Sequence, residues 1–357
     1  MIDRIPYMQI RGGSSKGIYF RAEDLPADET ERDRLILAAM EGAGPGDLRQ
    51  IDGLGGATSL TSKVAVVSPS NTGDADLDYL FLQVVLGESR LSASQNCGNI
   101  LAGVLPFAIE SGMLHADSPI TVSTIKMLNS TSYCEVTLQT PDGQIATEGD
   151  TKVDGVPGTG APVICNYLDT TGANTGNLLP TGNLIDMVDG IEMTCIDNGI
   201  PVVHIRAADL NITGYESREE LDQNEELKTQ LEAIRLRLGP LMKLGDVSGK
   251  TVPKMCLLSE AKQGGLVNTR SFIPHSCHAA IGVLAAFSTA AACILKGSVA
   301  ERIASHPITL DKLSLEHPTG EFSVSLEVEG SGKNLRIIKS GAIRTARIIS
   351  KGEVFIP

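Results

Sequence analysis

Three short stretches of the chain put proton-handling side chains next to anion-binding backbone. "QNCGN" sets the thiol of Cys97 between Asn96 and Gly98, followed by Asn99 and a long apolar run. A cysteine at a helix N-terminus meets free N–H groups and partial positive charge, which favours the thiolate and suits proton shuttling. "TSKVAVV" opens an apolar strand with Lys63, directly after Ser62. Burial there disfavours the ammonium and gives an amine able to act as a base near neutrality. The plainer alternative is a lysine at a strand end with its amine in water. "RSFIPHSCHAA" gathers Arg270, Ser271, His275, Cys277 and His278 ahead of a second apolar run, so that both Cys97 and Cys277 read as heads of apolar helices.

"RGGSSKG" adds Arg11, Gly13, Ser14, Ser15 and Lys16 in a polar loop before a strand. Such a loop offers amides, hydroxyls and two cations to an anion; as a tight β-turn with solvated charges it would offer nothing. "GLGGA" has glycines but lacks the preceding strand and following helix of a dinucleotide site. The histidines and cysteine at 275–278 are too tightly spaced for the usual zinc patterns, and an anion-binding role, with Arg270 forking onto a carboxylate, suits them better. No metal is expected. Cys134, Cys165, Cys195, Cys256 and Cys293 lie in apolar or strand-like runs and read as packing residues.

Composition narrows the partners. The 357 residues are 42% hydrophobic, 20% charged and 4% aromatic, with no Trp, and the formal net charge is −13. That balance argues against nucleic acid and against anionic membrane surfaces, while leaving room for a locally basic pocket that takes a small anion. Seven cysteines without a CxxC pair fit a reduced, cytoplasmic protein. The opening "MIDRIPYMQIRGG" lacks the uninterrupted apolar core of a signal peptide.

The elements that must hold these residues repeat. "YFRAEDL" and "HIRAADL", then "SKVAVVS" and "PKMCLLS", then the two cysteine-headed runs near 98–112 and 278–295, come in one order and at nearly one offset. Lys254 is thereby the counterpart of Lys63, and is expected to be structural. Each half later carries alternating runs about a Gly-containing turn, "SYCEVTLQTPDGQIATEG" and "EFSVSLEVEGSGKNLRII". The segment from Ser217 to Asp246 reads as a surface helix. A helix apolar all round must be surrounded. The expectation is an α+β protein of two similar domains, 1–185 and 186–357, each a curved, mostly antiparallel sheet wrapped around a central helix, with the last segment able to pack back on the first domain.

"RGGSSKG", "IDGLGGATSLTSKVAVVS", "NCGNILAGVLPFAIE", "VDGVPGTGAPV", "LLPTGN" and "FIPHSCHAAIGV" together resemble the 4-oxalomesaconate tautomerase and 2-methylaconitate isomerase family, over nearly the whole chain. The resemblance implies a diaminopimelate-epimerase-like fold with the active site between two domains. It implies an isomerase that moves a proton and a double bond in an unsaturated keto acid with several carboxylates, without metal or organic cofactor. Lys63 matches the family's catalytic lysine and Cys97 its thiol, while the Arg11–Lys16 loop and the Arg270–His278 segment match substrate-binding stretches. The closest likeness is to oxalomesaconate members, which serve aromatic-compound catabolism (gallate and protocatechuate 4,5-cleavage, downstream of lignin). 2-Methylaconitate remains an alternative substrate. So does a different chemistry, a two-cysteine racemase using Cys97 and Cys277, and so does a non-catalytic partner of an aconitate-handling enzyme. A small polycarboxylate is the expected partner, and a homodimer is compatible with the sequence.

Overall fold

A computed structural model of the chain describes residues 4–94, 96–130, 132–330 and 335–357. The chain forms two compact units, one of Met1–Asn166 with Ile343–Pro357 and one of Tyr167–Ala342. The sequence places the division at 185/186; by contacts it falls at 166/167, and the chain returns to the first unit after Ala342. Both units are α+β, built on a mostly antiparallel sheet.

In the first unit the strand Arg4–Gly12 lies between Ala346–Phe355 and Ser15–Arg21, antiparallel to both. Ser15–Arg21 pairs in parallel with Lys63–Pro69, which is antiparallel to Leu77–Val85. Ile120–Met127 then pairs in parallel with the start of Leu77–Val85 and antiparallel with Ser132–Gln139. Helix α1 (Glu29–Glu41) is capped by Asp28, whose carboxylate accepts from the Glu31 amide at 2.9 Å. Its Leu35, Ile36, Ala39 and Met40 bury against Ile18, Phe20, Val64, Val66, Leu82 and Val84. Strand side chains alternate, so Tyr19, Lys63, Ala65 and Phe81 face the other way. On that side lie α2 (Gly98–Leu101) and α3 (Val104–Glu110).

The single apolar helix expected near 98–112 is thus two short ones. The Tyr19 hydroxyl donates to the Ile100 carbonyl at 2.5 Å, and a side chain at Gly103 would run into that same hydroxyl. The break lets the chain pass Tyr19, and Pro106 sits in the first turn of the new helix, where it is tolerated.

The second unit repeats the plan. Pro201–Arg206 pairs in parallel with Lys254–Glu260, which is antiparallel to Val267–Phe272. That strand pairs in parallel with Leu313–His317, itself antiparallel to Gly320–Glu329. In both units the first of these strands ends in a short 3-10 turn, Ala22–Asp24 or Ala207–Leu210. The expected surface helix is two helices. α4 (Arg218–Gln223) is closed by a capping box between Ser217 and Glu220, and α5 (Glu225–Leu241) is capped by Asn224. Leu227, Leu231, Ile234 and Leu238 form a buried stripe on α5, and Arg235 is fully buried. On the opposite face of the sheet α6 (Val283–Ile294) is buried nearly all round and contacts strands of that sheet.

The late hairpins diverge. Gly320–Glu329 and Arg336–Arg344 pair as expected, and 331–334 lie outside the described residues. In the first unit Ser132–Gln139 is followed by a 3-10 turn at Pro141–Gly143, and 144–149 is not a strand. Pro141 and a left-handed Asp142 (φ 53°) turn the chain out of the sheet.

Candidate functional site

In the first unit the "RGGSSKG" stretch is the tight turn of a hairpin, with Gly12 opposite Ser15. Gly13 has φ +48°, and an added Cβ there would meet the side chain of Asn99. The Asn99 amide in turn donates to the Ser14 hydroxyl at 3.1 Å. The turn and the start of α2 therefore fit one another. Arg11 donates through Nη1 to the carbonyls of Gly13 and Thr345 and to the Thr345 hydroxyl, each at 2.9 Å. Ser15 is buried, and its hydroxyl has no partner among the described residues. The Lys16 amide donates to the Leu60 carbonyl at 2.9 Å.

Lys63 opens its strand opposite Gln83 and is only 7% exposed. Its Nζ donates to Gln83 Oε1 at 2.7 Å and lies 5.1 Å from the centre of the Phe81 ring. Gln83 is fixed by donating from Nε2 to the Ser62 carbonyl at 2.9 Å. The partner of the amine is thus a neutral amide oxygen and not a carboxylate. Ser62 itself is committed to structure: its hydroxyl donates to Gln50 Oε1 at 2.5 Å and accepts from the Gly56 amide at 3.3 Å.

Cys97 is the N-cap of α2, with extended backbone (φ −129°, ψ 101°) and a half-buried side chain. Its carbonyl accepts from the Leu101 amide at 3.0 Å and from the Tyr79 hydroxyl at 3.2 Å, while its side chain makes no capping bond. The thiol is held in place yet left over. Asn96 donates to the Ser130 hydroxyl, and its own Oδ1 is buried without a partner among the described residues. Gly98 opens the helix. A Cβ on Gly17 would stand 2.9 Å from both Ile100 Cδ1 and the Lys63 carbonyl, so only a glycine lets α2 ride this close over the start of the Lys63 strand.

Tyr19 was not singled out by the sequence. It is fully buried, and burial pushes its phenol well above the usual range, helped by the nearby Cys97 and opposed by Arg11. It stays a neutral donor that fixes the carbonyl of Ile100. The alternation of "GIYF" places it on the helix-facing side of the sheet with Lys63, which is the signal that marks it.

In the second unit Ser271 is buried, its carbonyl accepts from the His278 amide at 2.7 Å, and Phe272 bridges to Cys277. The segment is a loop folded back on its own strand. Helix α6 begins only at Val283, capped by Gly282. Cys277 therefore does not head a helix, contrary to the sequence expectation. Its amide donates to Asp222 Oδ1 at 2.6 Å, and its side chain packs with Met255, Leu257 and the α5 leucines. Burial pushes this thiol up to about 11. The buried Arg270 donates from Nε to the Glu216 carbonyl and from Nη1 to Asn268 Oδ1 and the Thr269 carbonyl, each at 2.9 Å. Most of its fork is spent on protein acceptors. His275 is exposed, with Nδ1 at 3.8 Å from Glu232, and His278 Nδ1 accepts from the Ala280 amide at 2.9 Å. Lys254 is 4% exposed, and burial, then Arg235, brings its amine down to about 8. Among the described residues no three His, Cys, Asp or Glu side chains converge as a metal site, and no helix is long and apolar enough to cross a membrane.

The sequence pattern of the PrpF protein family matches residues 2–357. The chain belongs to this family. It is 53% identical to a 4-oxalomesaconate tautomerase of Pseudomonas putida, covering 99% of this chain and 96% of that one. It is 51% identical to a (4E)-oxalomesaconate Delta-isomerase of Novosphingobium sp., covering 99% and 98%. The solved structure of a methylitaconate-delta-isomerase superposes with a TM-score of 0.86 at 32% identity, covering 99% of this chain and 95% of the other. A hydroxyproline epimerase at 12% identity and TM-score 0.55 shares the fold alone. Like its named relatives in the PrpF family, the chain is an enzyme of the isomerase class.

Proposed function

We propose that this PrpF-family isomerase moves a proton and a double bond within 4-oxalomesaconate, or an unsaturated keto acid of the same polycarboxylate class. The observation that carries the reading is the pairing of buried Lys63 with the neutral Gln83 in a chain 53% identical to a 4-oxalomesaconate tautomerase. The Lys63 amine takes a proton from the carbon next to the conjugated system. The electron pair of that C–H bond becomes part of a dienolate. Cys97 gives its thiol proton to the far carbon, the double bond settles in its new place, and solvent restores the two groups. Dienolate charge is favoured near the Gly98 and Asn99 amides, which begin a helix and lack helical acceptors. The buried, strongly raised thiol of Cys277 argues against a two-cysteine racemase.

The test is the ultraviolet spectrum of 4-oxalomesaconate with purified protein, alongside proton NMR in deuterated water. Lys63→Met is expected to stop both isomerisation and exchange of the acidic substrate proton. Cys97→Ser is expected to slow isomerisation by about 10²–10⁴ while exchange persists. An unchanged substrate spectrum with the native protein would sink the substrate assignment. Exchange surviving in Lys63→Met but lost in Cys97→Ser would reverse the two roles.

A further inference from the structure

A cavity of about 770 Å³ opens in the first unit, at the far end of α3 from Cys97. Ile109, Leu114, Leu138 and Val163 give it an apolar wall, and Arg11 and Arg347 give it two cations. Lys63, Cys97, Ser14 and Asn99 do not line it. Ile109 and Glu110 belong to the last turn of α3, whereas Cys97 caps the start of the separate helix α2. The cavity is therefore separate from the candidate proton-transfer groups, although Arg11 belongs to the same motif as Ser14.

The arginines are the unusual feature. Arg11 and Arg347 are direct cross-strand partners in the antiparallel pairing of Arg4–Gly12 with Ala346–Phe355, so their side chains share one face. Like charges directly opposite one another disfavour a sheet. Arg347 in fact lowers the affinity of Arg11 for its proton, second to burial. Among the described residues no carboxylate makes an ion pair with either guanidinium, and the nearby Glu110 is already taken by Lys351 at 2.5 Å. Arg11 is anchored through Nη1 by Gly13 and Thr345, which holds the rest of its fork still. Two facing guanidiniums, one rigidly held, make a ready cradle for a single carboxylate.

We propose that this cavity binds a small organic monocarboxylate, with its carboxylate between Arg11 and Arg347 and its hydrocarbon body against Ile109, Leu114, Leu138 and Val163. The paired guanidiniums suit one carboxylate, and the four apolar side chains suit a hydrocarbon body beside it. The site goes beyond the isomerase reading and does not depend on it.

Benzoate is the probe, titrated into the full-length protein by calorimetry and by saturation-transfer NMR, with inorganic phosphate as the comparison. Saturable benzoate binding is expected, with phosphate clearly weaker. Arg347 is exposed, so Arg347→Gln should fold normally and weaken benzoate at least about tenfold through the lost charge-assisted pair. Leu114→Glu, which sets a negative charge against the acid, should weaken it in the same direction and serves if Arg347→Gln is unstable. Lys63→Met should bind benzoate as the native protein does. Benzoate binding unaffected by Arg347→Gln or Leu114→Glu, abolished by Lys63→Met, matched by phosphate, or absent in the native protein would overturn the proposal.

Discussion

Lys254 stands in the second unit where Lys63 stands in the first. Each is the first residue of a strand with a parallel neighbour, Gly17 beside Lys63 and Val202 beside Lys254. Each strand also has an antiparallel neighbour, but only the first provides an amide acceptor, Gln83. The position that would match Gln83 falls at Ile273, just past the end of Val267–Phe272. The two lysines share a backbone setting and differ in what receives the amine.

Lys254 should be a cost to the fold at neutral pH. Its amine falls from the ordinary 10.5 to about 8 on folding, so between those values the unfolded chain binds more protons. Stability then rises with pH through that window, and below about 8 the full penalty is present. Lys254→Met is expected to raise stability at pH 7 by up to about 3 kcal/mol, and the gain should shrink as pH rises towards 10.5. Urea melts of both proteins at several pH values check this. A gain that does not change with pH would point to packing alone.

Gln83→Glu places a carboxylate where a neutral amide now sits 2.7 Å from Lys63 Nζ. A carboxylate at that range would pair with the ammonium and hold the proton on Lys63. The rate should therefore fall at least about tenfold at pH 7, and the rising limb of the pH–rate profile should move to higher pH. A loss of rate with no movement of the profile would mean that Lys63 is not the group being titrated.

The cysteines should part under alkylation. Cys97 is half-buried with a thiol that caps nothing, whereas Cys277 is 1% exposed and its thiol is raised to about 11. Iodoacetamide at neutral pH is expected to modify Cys97 first and to stop turnover, with Cys277 recovered unmodified by peptide mass spectrometry. Prior labelling of Cys277 would contradict the burial described for it.

Gly13→Ala tests how the hairpin turn holds α2. A left-handed φ of +48° costs an alanine on the order of 1–2 kcal/mol, and the new methyl would also displace Asn99. Lower thermal stability is expected together with a drop in kcat larger than the change in KM, because Asn99 lies two residues from Cys97. A stability loss with unchanged kcat would separate the turn from the chemistry.

The duplicated order of elements was readable because a strand opening on lysine, a polar helix and an apolar run each carry their own periodicity. Lys63 and Cys97 stood out because a cation opening an apolar strand and a thiol among Asn and Gly are chemically odd. The place of Cys277 was not readable, since "SCHAAIGV" has the composition of a helix start. What delays α6 to Val283 is tertiary: Asp222 takes the Cys277 amide and Ser271 takes that of His278. The break between α2 and α3 likewise depends on Tyr19, far away in sequence. The second run after Ser132–Gln139 alternates well enough for a strand, yet Pro141 and Asp142 turn it away from the sheet.

The strand Ala346–Phe355 closes onto Arg4–Gly12 after the whole second unit has intervened. During synthesis the usual order of completion is therefore inverted. The unit that carries Lys63 and Cys97 is begun first but gains its last sheet strand only after residues 167–342 have been made, so the later-encoded unit can fold first. A nascent chain waits through that interval with the strand Arg4–Gly12, which holds the buried Ile5 and Ile10, paired on one side only. Proteolysis that removes 346–355 should consequently strike the unit that was translated earliest.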